Sequence, residues 1–417
     1  MKTHRLCFAI ALSGVWLFVG ESRADDTPPG LQECVRVMRD SGKEPVAFVL
    51  DRLRDHDLLL FDDGMHTAVE PFAFYQRLIR EAAFQKQVKY IFLEALAINH
   101  QPLVNAYLDA EREDPTILYP AFQDDYGTGF PYKTYFDLLH TVYDVNRQLP
   151  RAERLKVVCV SNPVHWSDIK TADDLALFRK GLAGRDALMY GVILDELDGF
   201  RSGRKGIFLT NTRHAYKGIR DGRNRLYLNC GTYFHERHPG KTYSLRCHHL
   251  VLFIERPAEK RPNQAATTAG TERFVYRWAR EGRGLWDEAW QRLGNKPLAV
   301  PLAGNVPGRE PYIGNHMLDV APGQTFADAY DAVLFLAPLE QLRQTALVGE
   351  IYTLAFKPEL ARRYRILLTP AQLAARLSEA GVRTPEELID KEHASRPEQP
   401  LPQLEGLEPS STWRQGR

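Results

Sequence analysis

The sequence predicts an α/β protein: a mostly parallel central sheet with helices on both faces, some antiparallel strands and a C-terminal helical extension. Short apolar runs alternate with amphipathic segments through the first half of the chain. Several of these runs end in or near ionisable residues, as strands do at the functional edge of such sheets. A late apolar run at 330–336 adds one more buried strand. This alternation is typical of a parallel sheet covered by helices.

The individual elements follow from the same patterns. Strands are predicted at 47–50, 58–61, 90–94, 156–160, 205–209, 225–233, 243–255 and 330–336. Helices are predicted near 71–83, 103–111, 133–147, 172–182, 185–197, 271–293, 370–380 and 384–392. Pro71 suits the first turn of its helix, where no amide hydrogen is needed. The segments at 225–233 and 243–255 are expected to be antiparallel, joined through the turn at His238-Pro239-Gly240.

The N-terminus has the pattern of a secretory signal peptide. A basic start with Lys2 and Arg5 precedes an apolar run from Leu6 to Gly20, and small residues precede an expected cut after Ala24. The apolar run is short for a membrane span, although an uncleaved anchor is the alternative. We therefore expect a secreted protein, located in the periplasm. The expected organisation is a signal peptide at 1–24, an α/β domain at 25–340, a helical extension at 341–395 and a disordered, proline-rich tail at 396–417.

Charge and hydropathy narrow the possible partners. The formal net charge of +1 gives no bulk electrostatic attraction to nucleic acids or membrane surfaces. Beyond the signal peptide, no apolar run is long enough to suggest an integral membrane segment. The expected partner is a small-molecule substrate and no nucleic acid, while the oligomeric state is left open.

The cysteines indicate a possible disulfide. Once Cys7 leaves with the signal peptide, Cys34, Cys159, Cys230 and Cys247 remain. An oxidising compartment permits disulfides, and four cysteines allow three pairings. We expect Cys230 to pair with Cys247 because both lie in predicted strands, while Cys159 suits a buried thiol. No Cys-x-x-Cys occurs, which excludes a zinc ribbon.

Three predicted strands carry ionisable residues at their ends. The run at 58–61 is followed by Asp63 and His66, the run at 90–93 by Glu94, and the run at 207–209 by Asn211 and His214. Because the carboxyl ends of parallel strands meet at one edge of a sheet, we expect these side chains to form one site.

These motifs resemble the erythromycin esterase-like superfamily, which also contains haem-binding ChaN-type proteins and, more distantly, Tiki-type metallopeptidases. The family pattern Gly-Glu-x-x-His-Gly corresponds to Asp62-Asp63-Gly64-Met65-His66-Thr67, followed by Glu70. Asp63 and His66 take the acid and histidine positions, and Asp62 replaces the glycine. A strand ending in Glu, then Gln and a Leu-rich helix, corresponds to Glu94, Gln101 and the segment after it.

Three further patterns extend the resemblance toward Phe335. An Arg-Asp-x-x-Met helix start is matched at Arg185-Asp186-Ala187-Leu188-Met189. The esterase pattern His-Asn-x-His becomes Asn211-Thr212-Arg213-His214, which keeps the last histidine. A late Tyr-Asp-Ala strand is matched at Tyr330-Asp331-Ala332.

The resemblance implies a hydrolase that cleaves an ester, a lactone or a related bond with histidine-activated water. His66 is then the general base, with Glu94 and Asp63 fixing its tautomer. His214 and the planar guanidinium of Arg185 would stabilise the reacting group. This interpretation requires no cofactor and assigns no metal ligand. No Gly-x-Ser-x-Gly, phosphate loop or dinucleotide fingerprint occurs, which disfavours a serine hydrolase or a nucleotide enzyme.

Two other functions remain open from the sequence. The first is a haem- or metal-binding protein of the ChaN type: two histidines with Glu94 form a two-His-one-carboxylate set, and Tyr216 or Tyr107 are candidate haem ligands. The second is a catalytically silent member of the superfamily. Glu94 paired with Arg185 for purely structural reasons is a further alternative for those two residues.

Overall fold

A mostly parallel sheet forms the centre of the protein. The computed structural model describes residues 29–125, 127–255, 275–313, 320–402 and 407, so the predicted signal peptide lies outside the described residues. The strands in these ranges are β1 (Leu58–Asp62), β2 (Val88–Ala97), β3 (Lys156–Ser161), β4 (Lys205–Thr210), β5 (Thr242–Cys247), β6 (Leu250–Glu255), β7 (Val275–Arg280), β8 (Leu298–Pro301), β9 (Ala332–Phe335), β10 (Arg343–Gln344) and β11 (Gln399–Pro400).

Within the described residues, seven strands pair in the order β3-β2-β4-β1-β5-β9-β8. Every neighbouring pair is parallel except β8 with β9 at one edge. The pairs β6 with β7 and β10 with β11 are antiparallel and separate from the sheet. The predicted fold class is therefore confirmed.

The helices of the described ranges surround this sheet. They are α1 (Pro29–Ser41), α2 (Pro45–Asp55), α3 (Val69–Arg80), α4 (Ala82–Gln87), α5 (Gln101–Asp109), α6 (Tyr119–Asp124), α7 (Lys133–Gln148), α8 (Ala172–Gly181), α9 (Arg185–Glu196), α10 (Thr212–Ala215), α11 (Cys230–Arg237), α12 (Leu285–Arg292), α13 (Val306–Arg309), α14 (Phe326–Ala329), α15 (Lys357–Leu367), α16 (Pro370–Ala380) and α17 (Pro385–Glu392). None of the described helices is long and apolar enough to cross a membrane.

Strand β1 shows why the sheet is covered on both sides. All five of its residues are buried, as expected for a strand between two layers of helices. Because successive strand side chains point to opposite faces, Leu59 and Phe61 pack with α2, α3, α5 and α7, whereas Leu58 and Leu60 pack with α1, α9, α11 and α12. We call these two layers the α3 face and the α9 face.

One predicted strand is a helix, and another is helical only in its last four residues. The run at 47–50 lies inside α2, which begins at Pro45. The Glu44 side chain caps this helix by accepting a hydrogen bond from the Ala47 amide. The end of the segment at 225–233 lies in α11, which begins at Cys230. Asn229 caps this helix by accepting a hydrogen bond from the Thr232 amide. In both cases a capping residue outweighs a short apolar run.

Two further predictions need correction. Strand β5 runs parallel to β1, so it has no antiparallel partner at 225–233. The predicted helix at 271–293 divides into β7 and α12, with Gly282 and Gly284 between them at φ of 54° and 82°. These left-handed backbone conformations, which glycine adopts readily, end the strand and turn the chain before the helix.

The predicted disulfide does not form. Cys34, Cys159, Cys230 and Cys247 are all free and buried. Cys230 begins α11 on the α9 face, whereas Cys247 ends β5 and faces the α3 face, with its sulfur 3.7 Å from the Tyr75 hydroxyl. The sheet separates the two sulfurs, so the pairing expected from the sequence is wrong.

The C-terminal segment packs on the α3 face. Leu360 and Tyr364 of α15 and Ile389 of α17 belong to the same apolar layer as α3 and α7. Strand β11 pairs with β10, so ordered structure extends into the tail predicted to be disordered. Residues 403–406 and 408–417 of that tail lie outside the described residues.

Candidate active site

The predicted site residues meet where β1, β2 and β4 end. These strands are neighbours and parallel, so their carboxyl ends share one edge. Asp63 and His66 lie in the loop after β1, and His214 lies in α10 directly after β4. Asn211 caps α10 by accepting a hydrogen bond from the Arg213 amide. Arg185, the first residue of α9, reaches the same edge.

Glu94 is presented from within β2. The register between β2 and β3 shifts between Leu93 and Ala97, an irregularity of the kind that redirects side chains beside functional sites. Glu94 is completely buried. The Arg185 guanidinium donates to Glu94 Oε1 and also to the Glu94 main-chain oxygen, at 3.1 Å. The Thr210 hydroxyl lies 3.4 Å from Glu94 Oε2.

His66 is held at both ring nitrogens. Its Nδ1 lies 2.9 Å from Asp63 Oδ2 and 2.9 Å from the Tyr135 hydroxyl oxygen. Its Nε2 lies 2.8 Å from Glu94 Oε2 and 3.2 Å from Asn211 Nδ2. The side chain is 9% exposed, and Asp63, Tyr135 and Glu94 hold the ring in this nearly buried position.

The carboxylates around His66 determine its charge. Burial disfavours the imidazolium, but Asp63 and Glu94 outweigh burial and raise the pKa of His66 to about 10. Burial raises the pKa of Asp63 to about 6, against the opposing influence of His66. Burial also opposes ionisation of Glu94, yet Arg185 and His66 hold its pKa well below the usual range. At neutral pH the His66 ring is thus an imidazolium that donates to Asp63 and Glu94.

His214 is held differently. Its Nδ1 lies 2.8 Å from Asp186 Oδ1, which also accepts a hydrogen bond of 2.8 Å from the Cys230 amide. Its Nε2 is 3.6 Å from Glu94 Oε1, too far for a hydrogen bond, and has no hydrogen-bond partner. When Nδ1–H donates to Asp186, Nε2 carries an unpartnered lone pair.

A cavity of about 260 Å³ opens beside His66. His66 and Asn211 form part of its polar lining, while Leu250 and Trp278 are among its apolar lining residues. An apolar cavity with a few convergent polar groups is typical of a small-molecule site. The five residues predicted as catalytic therefore lie in one cluster, which we call the Glu94 cluster: Asp63, His66, Glu94, Arg185 and His214.

Other predicted candidates do not join this cluster. Tyr107 and Tyr216 are buried on opposite faces of the sheet, and neither lines the cavity beside His66. They do not fit a shared haem site with His66. Among the described residues, no group of three or more His, Cys, Asp or Glu side chains is arranged to hold a metal ion. Arg185 already occupies one oxygen of Glu94, the carboxylate that a metal would need.

Two contacts in the site were not anticipated. Asp186 stood within the Arg185-Asp186 motif but was assigned no role, and it is the partner of His214. Tyr135 lies on α7, more than sixty residues from His66, so no local pattern signals its contact. The role of Asp186 could have been inferred from its position next to Arg185. The contact of Tyr135 depends on how α7 packs against α3.

A second buried charge cluster lies at the end of β5. Arg246 bonds Asp62 Oδ2 at 2.7 Å and Glu281 Oε1 at 2.6 Å. His248 Nδ1 lies 3.0 Å from Glu281 Oε2, and its Nε2 lies 3.0 Å from Asp287 Oδ1. Although burial opposes it, Asp287 and Glu281 raise the pKa of His248 to about 9. We call these five residues the Arg246 cluster.

The two clusters are joined through neighbouring residues. Asp62 Oδ1 accepts hydrogen bonds from the Gly64 amide at 2.8 Å and from the Thr212 hydroxyl at 3.2 Å. Gly64 precedes His66 in the β1 loop, and Thr212 begins the helix that carries His214. The Arg246 cluster therefore helps to hold the two segments that present the histidines.

Comparison with known proteins gives matches among solved structures. No family model matches the chain, and no curated protein matches it. A mutant of the erythromycin esterase EreC in its open conformation is 12% identical, with 69% of this chain and 92% of that chain covered and a TM-score of 0.46. A Bacillus cereus protein is 10% identical, with 75% and 100% covered and a TM-score of 0.43.

The haem-binding ChaN of Campylobacter jejuni is 11% identical, with 48% of this chain and 85% of that chain covered and a TM-score of 0.25. At these identities and TM-scores the matches carry no activity to this chain.

Proposed function

We propose that this protein hydrolyses an ester, a lactone or a related bond by activating water with a histidine. One observation carries the proposal: two imidazoles flank the buried Glu94 carboxylate in opposite hydrogen-bonding states. His66 has carboxylate partners at both ring nitrogens, whereas His214 has one at Nδ1 and no hydrogen-bond partner at Nε2. Neighbouring titratable groups whose environments differ in this way are suited to divide acid and base roles.

The division of roles differs from the one suggested by the sequence. His214 is the better base, because Asp186 holds Nδ1 and no hydrogen-bond partner competes for a proton at Nε2. Since Nε2 is buried, water must reach it from the adjoining cavity, which Asn211, Thr212 and Arg213 line.

The hydroxide formed adds to the carbonyl carbon. His66, charged and lining the cavity, stabilises the negative charge on the carbonyl oxygen through its charge alone, because both of its N–H groups are bonded to Asp63 and Glu94. When the tetrahedral intermediate collapses, the leaving alkoxide takes the proton from the His214 imidazolium.

Arg185 acts by balancing charge. Without Arg185, the buried Glu94 carboxylate would have only two histidines, His66 and His214, as charged partners. The guanidinium keeps Glu94 ionised, so Glu94 orients the His66 ring without taking its proton. Arg185 is thus a positioning residue rather than a group that touches the substrate.

The test is hydrolysis of a panel of esters and lactones by the purified protein. We expect turnover by the wild type and a loss of about 10²- to 10⁴-fold in kcat for His214→Gln, the range that general-base catalysis supplies. Asp186→Asn should also lower kcat, because it no longer fixes the His214 tautomer. Glu70→Gln is the matched control, since Glu70 lies in the first turn of α3 and contacts the Arg343 amide instead of the site. Absence of turnover on every substrate would overturn the proposal.

We also propose that the chain is exported and cut after Ala24. The support is the basic start, apolar run and small residues of the N-terminal 24 residues. N-terminal sequencing of the protein from a periplasmic extract tests this. A first residue of Asp25 is expected, and an intact N-terminus in the cytoplasmic fraction would contradict it.

A further inference from the structure

The short helix that carries the proposed base also carries an arginine. Arg213 lies in α10 directly before His214, and it lines the same cavity as His66. Its main chain is fixed on both sides. The Arg213 amide donates to Asn211 Oδ1 at 3.1 Å, and the Arg213 carbonyl oxygen accepts from Asn229 Nδ2 at 2.9 Å. The arginine and the base are therefore held in a constant relation to each other and to the cavity.

The Arg213 side chain lacks the acidic partners of the other two arginines at this edge of the sheet. Among the described residues, no carboxylate forms an ion pair with Arg213, and its Nε is buried without a hydrogen-bond partner. Arg185 lines a separate cavity of about 220 Å³, but its guanidinium already donates to Glu94 and, at 3.1 Å, to the Ser161 hydroxyl. Arg246 is bonded to two carboxylates of its own cluster. Of these three arginines, Arg213 alone keeps its donors for a ligand.

The wall of the cavity beside His66 does not neutralise Arg213. In the part of the chain that the structure describes, none of the residues lining this cavity is Asp or Glu. His66 is the other cationic lining residue, and Asp63 and Glu94 balance its charge. Strands β6 and β7 supply the apolar part of the wall. Because a charge acts more strongly beside an apolar wall than in open water, this guanidinium favours an anionic ligand.

The chemistry of the guanidinium and the size of the cavity select the anion. The planar fork of N–H groups matches the two oxygens of a carboxylate, and such charge-assisted pairs are strong. A single uncompensated cation balances the one charge of a carboxylate better than the nearly two charges of a phosphate monoester. The cavity of about 260 Å³ lies just below the range of roughly 300–1,000 Å³ for complete ligand sites, so the group that enters it is short.

We propose that Arg213 binds a carboxylate of the substrate and thereby determines its specificity. The proposal rests on the proposed function and names its substrate class as short esters or lactones whose acyl group carries a free carboxylate, such as monoesters of dicarboxylic acids. The carbonyl beside His66 and the carboxylate on Arg213 then occupy one cavity. Arg213 holds the same group in the substrate and in the transition state, so its loss should appear chiefly in KM.

The experiment compares the monomethyl esters of malonate, succinate, glutarate and adipate, each with the neutral ester amide of the same length. Because the cavity fixes both ends of the acyl group, kcat/KM of the wild type should be highest at one length. At that length the charged ester should exceed its amide by about 10- to 100-fold, the range for hydrogen bonds to charged groups.

Two variants and one control assign this preference to Arg213. Arg213→Gln should lower the ratio to about one, mainly by raising KM for the charged ester. Arg213→Lys should keep part of the ratio, since it retains the charge without the planar fork. Arg223→Gln is the matched control, because it removes an equal charge from an exposed arginine that does not line the cavity. It should keep the wild-type ratio.

Calorimetric titration with the monoamides of the same four diacids, which keep the carboxylate and lack the ester, separates this proposal from the proposed function. Binding that Arg213→Gln weakens tenfold or more, without hydrolysis of any ester, supports the carboxylate site and overturns the hydrolase. Hydrolysis with equal kcat/KM for charged and neutral esters overturns the carboxylate site and supports the hydrolase. A preference that Arg213→Gln retains, or an equal loss on both esters, also overturns the carboxylate site. Neither binding nor hydrolysis overturns both.

Discussion

The Glu94 and Arg246 clusters have nearly the same composition but different surroundings. Each places an arginine, a histidine and carboxylates at the carboxyl ends of neighbouring parallel strands. In the Arg246 cluster, both nitrogens of His248 are bonded to carboxylates, and none of the five residues lines a cavity described above. In the Glu94 cluster, His66 and Arg185 line cavities, and His214 keeps an unpartnered nitrogen.

This difference distinguishes buried charges that stabilise the fold from buried charges that can take part in a reaction. A raised histidine pKa occurs in both clusters, so it does not by itself indicate catalysis. Among these ten residues, access from a cavity and a histidine nitrogen without a hydrogen-bond partner occur only in the Glu94 cluster, whereas the unpartnered atom of the Arg246 cluster is a carboxylate oxygen, Asp287 Oδ2. Those two properties allow a substrate to arrive and a proton to move, whereas the Arg246 cluster can hold segments in place.

The largest expected effect concerns activity. His214→Gln should lower kcat by about 10²- to 10⁴-fold, because it removes the proton acceptor. His248→Gln, the matched change in the Arg246 cluster, should leave kcat within severalfold of the wild type. Both are measured on the best ester of the panel, with circular dichroism confirming the fold. Equal losses in the two variants would erase the functional distinction between the clusters.

The next effect concerns stability. Glu281→Gln leaves Arg246 and His248 buried beside a neutral amide, so it should lower the free energy of unfolding by about 3–5 kcal/mol. The kcat of the folded fraction should change little, since Glu281 contacts no residue of the Glu94 cluster directly. Urea titration gives the first quantity and active-site-normalised turnover the second. A small change in stability with a large loss of kcat would show that the Arg246 cluster is catalytic.

The sequence was sufficient to locate the Glu94 cluster because its signal is local. Each apolar run that ends in a polar residue marks a strand end, and parallel strand ends meet. That rule brought together His66, Glu94 and His214 without any knowledge of contacts. It could not show which histidine nitrogen is unpartnered, because that depends on Asp186 and on the 3.6 Å separation from Glu94.

The fold errors have an equally local cause. The four apolar residues at 47–50 favour a strand, although Glu44 and Pro45 just before them form a helix start. The disulfide was inferred from two strand-like segments, but strand membership does not tell which face of a sheet a cysteine takes. His248 gives no sign of Glu281, which follows 33 residues later. Pairings across such distances are decided by packing.

A smaller effect appears in the dependence of stability on pH. The folded pKa values of His66 and His248, about 10 and about 9, exceed the unfolded value of 6.5. Each histidine therefore contributes stability that is fully present below pH 6.5 and is lost as pH rises through its folded pKa. Between pH 9 and 10 His66 still contributes to the decline, together with the four buried cysteines, because burial raises the pKa of their thiols above the ordinary value of 9.0. His66→Gln should flatten it there, whereas His248→Gln should flatten it mainly between pH 6.5 and 9.

Unfolding free energies from urea titrations at closely spaced pH values test this prediction. Glu70→Gln is again the control, since its carboxyl titrates in the acid range and should leave the alkaline slope unchanged. A wild-type slope retained in His66→Gln would show that His66 is not the imidazolium that the two carboxylates imply.

The smallest expected effect compares two tyrosine hydroxyls. Tyr135 contacts His66 Nδ1 at 2.9 Å, and Tyr330 donates to Asp62 Oδ2 at 2.5 Å. Removing either hydroxyl as Phe should cost about 1–3 kcal/mol of stability, the range for hydrogen bonds to charged groups. Only Tyr135→Phe should also shift the pH profile of kcat, because it changes the environment of a ring that stabilises the reacting oxygen. A shift of equal size in Tyr330→Phe would mean that the Arg246 cluster affects catalysis through Asp62. Asp62 would then have to be counted as part of the catalytic site.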